Sequence, residues 1–155
     1  MIRRARPEDR AAIEVLVRDA YGIYVERIGK PPGPMFDDYG RLIAEGAVSV
    51  LEETNGNLAG LIVLLRQSDH LLLDNIAVRS DRHGRGLGRR LIAFAESEAR
   101  RSGYAELRLY THEKMTENIA LYRRLGFIET GRGDHGGYDR VFMAKRLGPN
   151  ERHFP

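Results

Sequence analysis

Cysteine is absent from the 155-residue sequence. Disulfide bonds, cysteine–zinc sites and thiol nucleophiles are therefore excluded. Long apolar runs are absent as well: a stretch such as residues 58–65 is far shorter than the roughly 20 residues of a membrane-spanning helix. Residues 1–9 reach charged side chains without an apolar segment, so no signal peptide is expected. These absences predict a cytoplasmic protein.

The composition is that of one globular domain, with 42% apolar and 30% charged residues. We expect the domain to cover residues 1–147 and the aperiodic residues 148–155 to be a disordered tail. The formal charge is +3, and arginines cluster at positions 79, 82, 85, 89, 90, 100 and 101. Such a cluster suits phosphates on nucleic acid or on a small cofactor, and equally fits a solvated helix face.

Hydrophobic periodicity and turn residues predict the order β-α-α-β-β-β-α-β-α-β-β. The predicted strands are 2–5, 47–53, 58–66, 71–78, 105–111, 127–130 and 141–145, and the predicted helices start near 9, 35, 87 and 116. The second helix is expected over 35–45, after a Pro/Gly loop at 29–34. Asn55-Gly56 favours a hairpin. The order predicts an α/β fold, a mixed sheet flanked by helices on both faces.

Residues 82–88, RHGRGLG, join a predicted strand to a predicted helix. Glycines let the backbone approach a ligand closely, and the N–H groups and dipole of a helix start favour an anion. The dinucleotide pattern G-x-G-x-x-G fails because Arg89 and Leu91 occupy the positions for a third glycine, and Gly-Lys-Ser/Thr occurs nowhere. A tight turn without a ligand is the alternative explanation.

A second motif, NIALYRRLGF at residues 118–127, follows the next predicted strand. Paired with Gly86-x-Gly88, it resembles the GCN5-related N-acetyltransferase superfamily, and the resemblance covers nearly the whole chain. The resemblance implies a single-domain fold that binds acetyl-coenzyme A and passes the acetyl group directly to an amine. It also implies that no metal is used and that the protein forms a homodimer.

The resemblance implies that main-chain amides of the loop hold the cofactor pyrophosphate, at His83, Gly84, Arg85, Gly86, Leu87, Gly88 and Arg89. His83 departs from the usual glutamine or arginine, which matters little where backbone donors do the binding. The backbones of Ile76, Ala77 and Val78 would pair with the pantetheine arm. Asn118 lies four residues before Tyr122, whereas the commoner family spacing of seven falls on Met115. Asn118 either bonds the cofactor or caps the helix.

Tyr122 matches the family tyrosine that protonates the departing thiolate, since a phenol with an ordinary pKa of about 10 can supply that proton. Core packing is the alternative. An acceptor amine with a pKa of about 10.4 must lose a proton before it can attack, which costs roughly 4.6 kcal/mol of free energy at neutral pH. Asp74 is the candidate base, although the carboxylate position usual in the family corresponds to Leu72 and Asp74 could instead have a structural role. His112 and Glu113 are the runners-up.

The acceptor pocket implied by the resemblance includes Tyr24, Met35, Tyr39 and His112. These side chains do not select among a peptide, a polyamine and other small amines. One alternative is a coenzyme A sensor that has lost catalysis. A nucleic-acid module built on the arginine cluster lacks interleaved aromatic residues, so neither nucleic acid nor a membrane is expected as a partner.

Overall fold

The computed structural model describes residues 1–148, which form seven strands and four α-helices. The strands are β1 (Ile2–Arg4), β2 (Val48–Glu52), β3 (Leu58–Arg66), β4 (Leu71–Val78), β5 (Glu106–His112), β6 (Ile128–His135) and β7 (Tyr138–Arg146). The helices are α1 (Arg10–Ile28), α2 (Tyr39–Ala44), α3 (Leu87–Arg101) and α4 (Thr116–Arg124). The sheet has the order β1-β2-β3-β4-β5-β7-β6. The predicted element order and mixed α/β fold are confirmed.

The described chain divides into two compact units. The first comprises Met1–Leu64 with Asp74–Ile92, and the second comprises Leu65–Leu73 with the chain from Ala93 onward. The predicted tail lies outside the described residues except for Gly148, whose carbonyl oxygen accepts a hydrogen bond from Arg100 Nε. The domain boundary at residue 147 stays a prediction.

In the first unit, α1 and β3 supply much of the core. Helix α1 follows a 3₁₀ turn at Pro7–Asp9 and ends at Gly29, whose φ of 92° suits glycine. It buries Ile13, Leu16 and Val17. The first six residues of β3 are all buried, so both faces of that strand are covered. Burial of each large aliphatic side chain contributes about 1.5–3 kcal/mol.

The predicted helix over 35–45 is wrong in its first part. Gly33–Phe36 forms a 3₁₀ turn that takes in the end of the expected loop, and Asp37 is extended, with φ −68° and ψ 146°. Helix α2 begins only at Tyr39, because the Asp38 carboxylate accepts the Arg41 backbone N–H at 3.1 Å. An aspartate that can cap a helix start favours a late beginning over a continuous helix.

The second unit contains a sheet region built on β5 and β7. Leu71 to Leu73 of β4 pair in parallel with Leu107 to Leu109 of β5, and β5 pairs antiparallel with β7. Leu107 and Leu109 of β5 and Val141 and Met143 of β7, all at odd-numbered positions, are buried. Because side chains alternate along a strand, the even-numbered residues share the opposite face.

The last hairpin is longer than predicted. Strand β6 continues to His135 and β7 starts at Tyr138, because Gly136 and Gly137, with φ of 66° and 83°, form a two-residue turn that lets both strands run up to it. Most side chains of β6 are exposed and several are charged, so the sequence of this strand shows no apolar alternation. The β6–β7 register shifts between Glu129 and Gly131, which marks a bulge.

Candidate active site

The glycine loop lies in the first unit, between β4 and α3. Gly84 and Gly86 have φ of 80° and 75°, a conformation that side-chain-bearing residues rarely adopt. A Cβ atom at either position would meet nothing within 4 Å, so packing does not explain these glycines. The first helical donor is Arg90, which bonds the Gly86 carbonyl, so the preceding three N–H groups have no partner within the helix. The loop can therefore present main-chain donors to an anion.

The charges around the loop differ in how far they are compensated. Glu53 accepts from Arg82 Nε at 2.8 Å, and Asp81 accepts from Arg79 at 2.7 Å. The hydrogen bond from Arg82 holds the pKa of Glu53 below its usual range. The exposed Arg85 and Arg89 form no ion pair within residues 1–148. Arg85 and Arg89 therefore offer a ligand positive charge that no described carboxylate compensates.

Strand β4 alternates in burial along its whole length. Asp74, Ile76 and Val78 are half-buried on one face, as the period of two predicts, while Ala77 is buried on the other. The Tyr21 hydroxyl shares its one proton between the Ile76 carbonyl at 2.7 Å and the Asn75 Oδ1 at 2.5 Å. The parallel pairing with β5 stops at Leu73, so the backbone of Asp74–Val78 lies outside that register.

A chain of hydrogen bonds that the sequence did not reveal runs through Asn75. This buried residue accepts from Tyr21 through Oδ1 at 2.5 Å and donates to the Tyr39 hydroxyl through Nδ2 at 2.8 Å. Tyr39 in turn donates to the Pro34 carbonyl at 2.6 Å. Because a carbonyl only accepts, Tyr39 must accept from Asn75, which fixes the orientation of the amide.

The predicted acceptor residues of this unit lie mostly inside it. Tyr24 and Tyr39 are 7% and 2% exposed, whereas Met35 is half-buried in the turn before α2. Burial raises the pKa of Tyr39 well above its ordinary range, and the carboxylates of Asp37, Asp74 and Glu14 raise it further. The Tyr39 hydroxyl is therefore neutral, and it donates its hydrogen bond to the Pro34 carbonyl oxygen.

Tyr122 and Asn118 lie in the second unit, on α4. Tyr122 is 4% exposed, and its ring packs edge-on against Phe127 with centroids 5.9 Å apart. Met115 occupies the N-cap position, and the Asn118 amide lies 3.9 Å from its sulfur. Asn118 therefore does not cap the helix, which leaves the other predicted role, a hydrogen bond to the cofactor, untested.

His112 ends β5 and is 7% exposed. Its Nδ1 accepts the Lys114 backbone N–H at 3.1 Å, and desolvation lowers the pKa of the imidazole. The neutral ring therefore carries its proton on Nε2. In this arrangement His112 offers a hydrogen-bond donor rather than a base.

The model of the acetyltransferase (GNAT) family matches residues 11–127, which include the glycine loop and Tyr122. The chain belongs to this family. The resemblance inferred from the two motifs is thus confirmed.

Two curated N-acetyltransferases match parts of the chain. The ribosomal protein bS18-alanine N-acetyltransferase of Escherichia coli (strain K12) is 37% identical over 75 residues, which are 48% of this chain and 51% of the relative. N-acetyltransferase family 8 member 3 of Rattus norvegicus is 31% identical over 85 residues, 51% of this chain and 37% of the relative. The chain therefore spans about half of one relative and less of the other.

Among solved structures, the PaiA N-acetyltransferase of Thermoplasma acidophilum in complex with coenzyme A has a TM-score of 0.78 and 18% identity. The match covers 95% of this chain and 98% of that chain, which establishes the GNAT fold. Within residues 1–148, no three His, Asp or Glu side chains are grouped to hold a metal ion. None of the helices in the same range is both long and apolar enough to cross a bilayer.

Proposed function

We propose that this GNAT protein transfers an acetyl group from acetyl-coenzyme A directly to an amine. The acceptor ammonium first gives one proton to a base. The neutral nitrogen then forms a bond to the thioester carbonyl carbon, the carbon–sulfur bond breaks, and the nitrogen releases its second proton to water. The departing thiolate takes a proton from an acid. The proposal rests above all on the loop with Gly84 and Gly86, whose open main-chain donors suit a diphosphate.

The cofactor residues follow from this loop. His83, Gly84, Arg85, Gly86, Leu87, Gly88 and Arg89 would hold the pyrophosphate through backbone N–H groups. The unpaired charges of Arg85 and Arg89 support this role, because each adds attraction without first breaking an ion pair. His83 contributes less, since its Nε2 lies 3.3 Å from the Val78 carbonyl at the end of β4.

The backbones of Ile76, Ala77 and Val78 would pair with the pantetheine arm as with a strand. Support comes from the register of β4, whose parallel pairing ends at Leu73. An extended ligand can add to such backbone groups in the manner of β-augmentation. Because Tyr21 already donates to the Ile76 carbonyl, it would hold that part of the strand in place. Asn118 would bond the cofactor from α4.

Tyr122 would act as the acid and Asp74 as the base. The burial of Tyr122 removes competing water from its hydroxyl, which favours directed proton transfer. Asp74 is half-buried on the same strand as the proposed pantetheine contacts, and it is close enough to affect the pKa of Tyr39. It would take the proton of the amine directly or through water.

The acceptor is proposed to be a small-molecule or peptide amine, in keeping with the alanine acceptor in the name of the E. coli relative. Met35 and the Nε2–H of His112 are available to contact it. Tyr24 and Tyr39 would support the pocket wall from within, since both are buried. A homodimer, a cytoplasmic location and the absence of a nucleic-acid partner stay predictions.

Calorimetric titration with coenzyme A, followed by thiol release with a panel of amines, tests the proposal. We expect binding of one coenzyme A per chain, turnover with at least one amine, and initial rates of the sequential type. Isolation of a labelled acetyl-enzyme that goes on to product would contradict direct transfer. Binding without turnover on any amine would favour a sensor.

A further inference from the structure

A cavity of about 660 Å³ opens on the even-numbered face of β5 and β7 in the second unit. Small-molecule sites commonly have this volume. Its lining includes Leu72, Arg108, Tyr110, His135, Arg140 and Phe142. Apolar groups and two arginines therefore share one concave surface with the carboxylate of Glu106.

Arg140 is held in place by aromatic rings. Its guanidinium carbon lies 4.3 Å from the centre of the Tyr110 ring and 5.3 Å from that of Tyr138. On the sheet it stands directly opposite His112, and Tyr110 lies opposite Phe142. Packing against two rings restricts a side chain that would otherwise lose considerable rotamer freedom on binding a ligand.

Arg108, the other arginine that lines the cavity, already has acidic partners. Arg108 pairs with Glu106 at 2.8 Å and with Asp69 at 3.7 Å, and His70 contacts Asp69 at 2.6 Å. Arg140 forms no ion pair with any of residues 1–148, and its shielded Nε has no acceptor there. The charge of Arg140 is therefore not compensated by any described carboxylate, which favours an incoming anion at the guanidinium.

We propose that Arg140 binds the carboxylate of the acetyl acceptor, so that the acceptor is a small amine of the amino-acid type rather than a polyamine. This inference rests on the proposed acetyl transfer. A guanidinium matches a carboxylate with two parallel hydrogen bonds, and the single uncompensated charge suits a monoanion. The apolar surface of Leu72 and Phe142 accommodates the carbon skeleton beside it.

The test compares free amino acids with their C-terminal amides, and with spermidine, as acceptors for the full-length chain. We expect the amino acid preferred over its amide by about 10- to 100-fold in kcat/KM. Arg140→Gln should remove that preference through a rise in KM, with coenzyme A affinity unchanged. Arg140→Lys, which keeps the charge but loses the fork, should retain part of it.

Arg146→Gln is the matched control, since it makes the same charge change on the same strand at an exposed position that does not line the cavity. It should keep the wild-type preference. A wild-type enzyme that treats acid and amide alike, or an Arg140→Gln variant that retains the preference, would overturn the inference while leaving acetyl transfer intact. If Arg140→Gln fails to fold, Arg140→Lys carries the comparison.

Calorimetry and sedimentation distinguish a failure of the carboxylate site from a failure of acetyl transfer and from occupation of the cavity by a second copy. If no amine turns over, acetyl transfer fails; calorimetry with the amino acids in the presence of coenzyme A then tests Arg140 by itself. Binding abolished in Arg140→Gln supports the carboxylate site, and no binding to the wild type overturns it. Sedimentation of wild type and Phe142→Glu tests occupation by a second copy, and a dimer broken by Phe142→Glu would also overturn it.

Discussion

Asn75 and Arg140 are both polar side chains held between two tyrosines, and they differ in how completely their polar atoms are used. Both atoms of the Asn75 amide have hydrogen-bond partners, Tyr21 and Tyr39. Arg140 packs against Tyr110 and Tyr138, but its Nε has no acceptor in the described chain. A completed network supports structure, whereas an incomplete one at a cavity is open to a ligand.

The largest effect is predicted for a tyrosine hydroxyl, that of Tyr122. If Tyr122 gives its proton to the leaving thiolate, Tyr122→Phe should lower kcat by about 10²- to 10⁴-fold with little change in coenzyme A affinity. Steady-state thiol release measures the change. Tyr104→Phe removes an exposed hydroxyl that donates to the Gln67 carbonyl and should leave kcat unaltered. Full activity in Tyr122→Phe would show that its hydroxyl has no part in the chemistry.

Gly86→Val tests whether the main-chain N–H groups of the glycine loop bind the cofactor. We expect at least about a 100-fold loss of coenzyme A affinity by calorimetry, because the side chain obstructs the approach to the loop and disfavours a φ of 75°. Gly56→Val is matched, since its φ is 89° and a Cβ there also meets nothing within 4 Å. It should lose stability but keep its affinity. Equal affinity in a folded Gly86→Val variant would refute the loop assignment.

Tyr39→Phe tests the completed network directly. The change leaves the Pro34 carbonyl and the Asn75 amide short of a partner, so we expect about 1–3 kcal/mol lower free energy of unfolding. Urea denaturation measures it, with Tyr104→Phe as the exposed control, expected within about 0.5 kcal/mol of wild type. The kcat should fall far less than in Tyr122→Phe. An unchanged free energy of unfolding together with a large fall in kcat would place Tyr39 in catalysis and contradict a purely structural role for its hydrogen bonds.

Arg85→Gln and Arg89→Gln sharpen the division between main chain and side chain. Each should weaken coenzyme A binding by only about 2- to 10-fold at low salt, and less as salt rises, because both arginines are exposed. Arg82→Gln should have a smaller effect, since Glu53 and Asp81 already engage that charge. A loss comparable to that in Gly86→Val would shift the binding from backbone to side chains.

The smallest effect concerns His112. Because its pKa is lowered in the folded chain, the unfolded chain binds the proton first as pH falls below about 6.5, and stability declines. His112→Asn retains an acceptor for the Lys114 N–H but cannot titrate. We expect its stability to fall less than that of wild type between pH 7.5 and 5.5. Parallel unfolding curves would contradict a desolvated neutral histidine.

Local patterns predicted much of the fold and the loop. The range of β4 and the end of α3 near Gly103 follow from apolar periodicity and glycine, which act within one element. The start of α2 was misjudged because the Asp38 cap competes with helix propensity at Met35 and Phe36. The predicted strand over 127–130 is shorter than β6, because exposed charged side chains replace the apolar alternation on which strand prediction depends.

The side-chain networks lay beyond sequence reasoning for a different reason. Asn75 meets residues 54 and 36 positions away in the chain, and Arg140 meets Tyr110 across two paired strands. No spacing rule connects such positions before the register is known. The available signal was that Asn75 shares the buried face of β4 with Leu73 and Ala77, since a buried amide requires partners.

The two outermost strands of the sheet restrict how copies of this protein can associate. Strand β1 has only three residues, and β6 carries a bulge together with exposed Glu129, Arg132 and Asp134. Short, kinked or charged borders discourage a further strand from joining, which is the first step of fibrillar aggregation. Concentrated samples should therefore resist ribbon-like growth, and any dimer would have to form without prolonging the sheet.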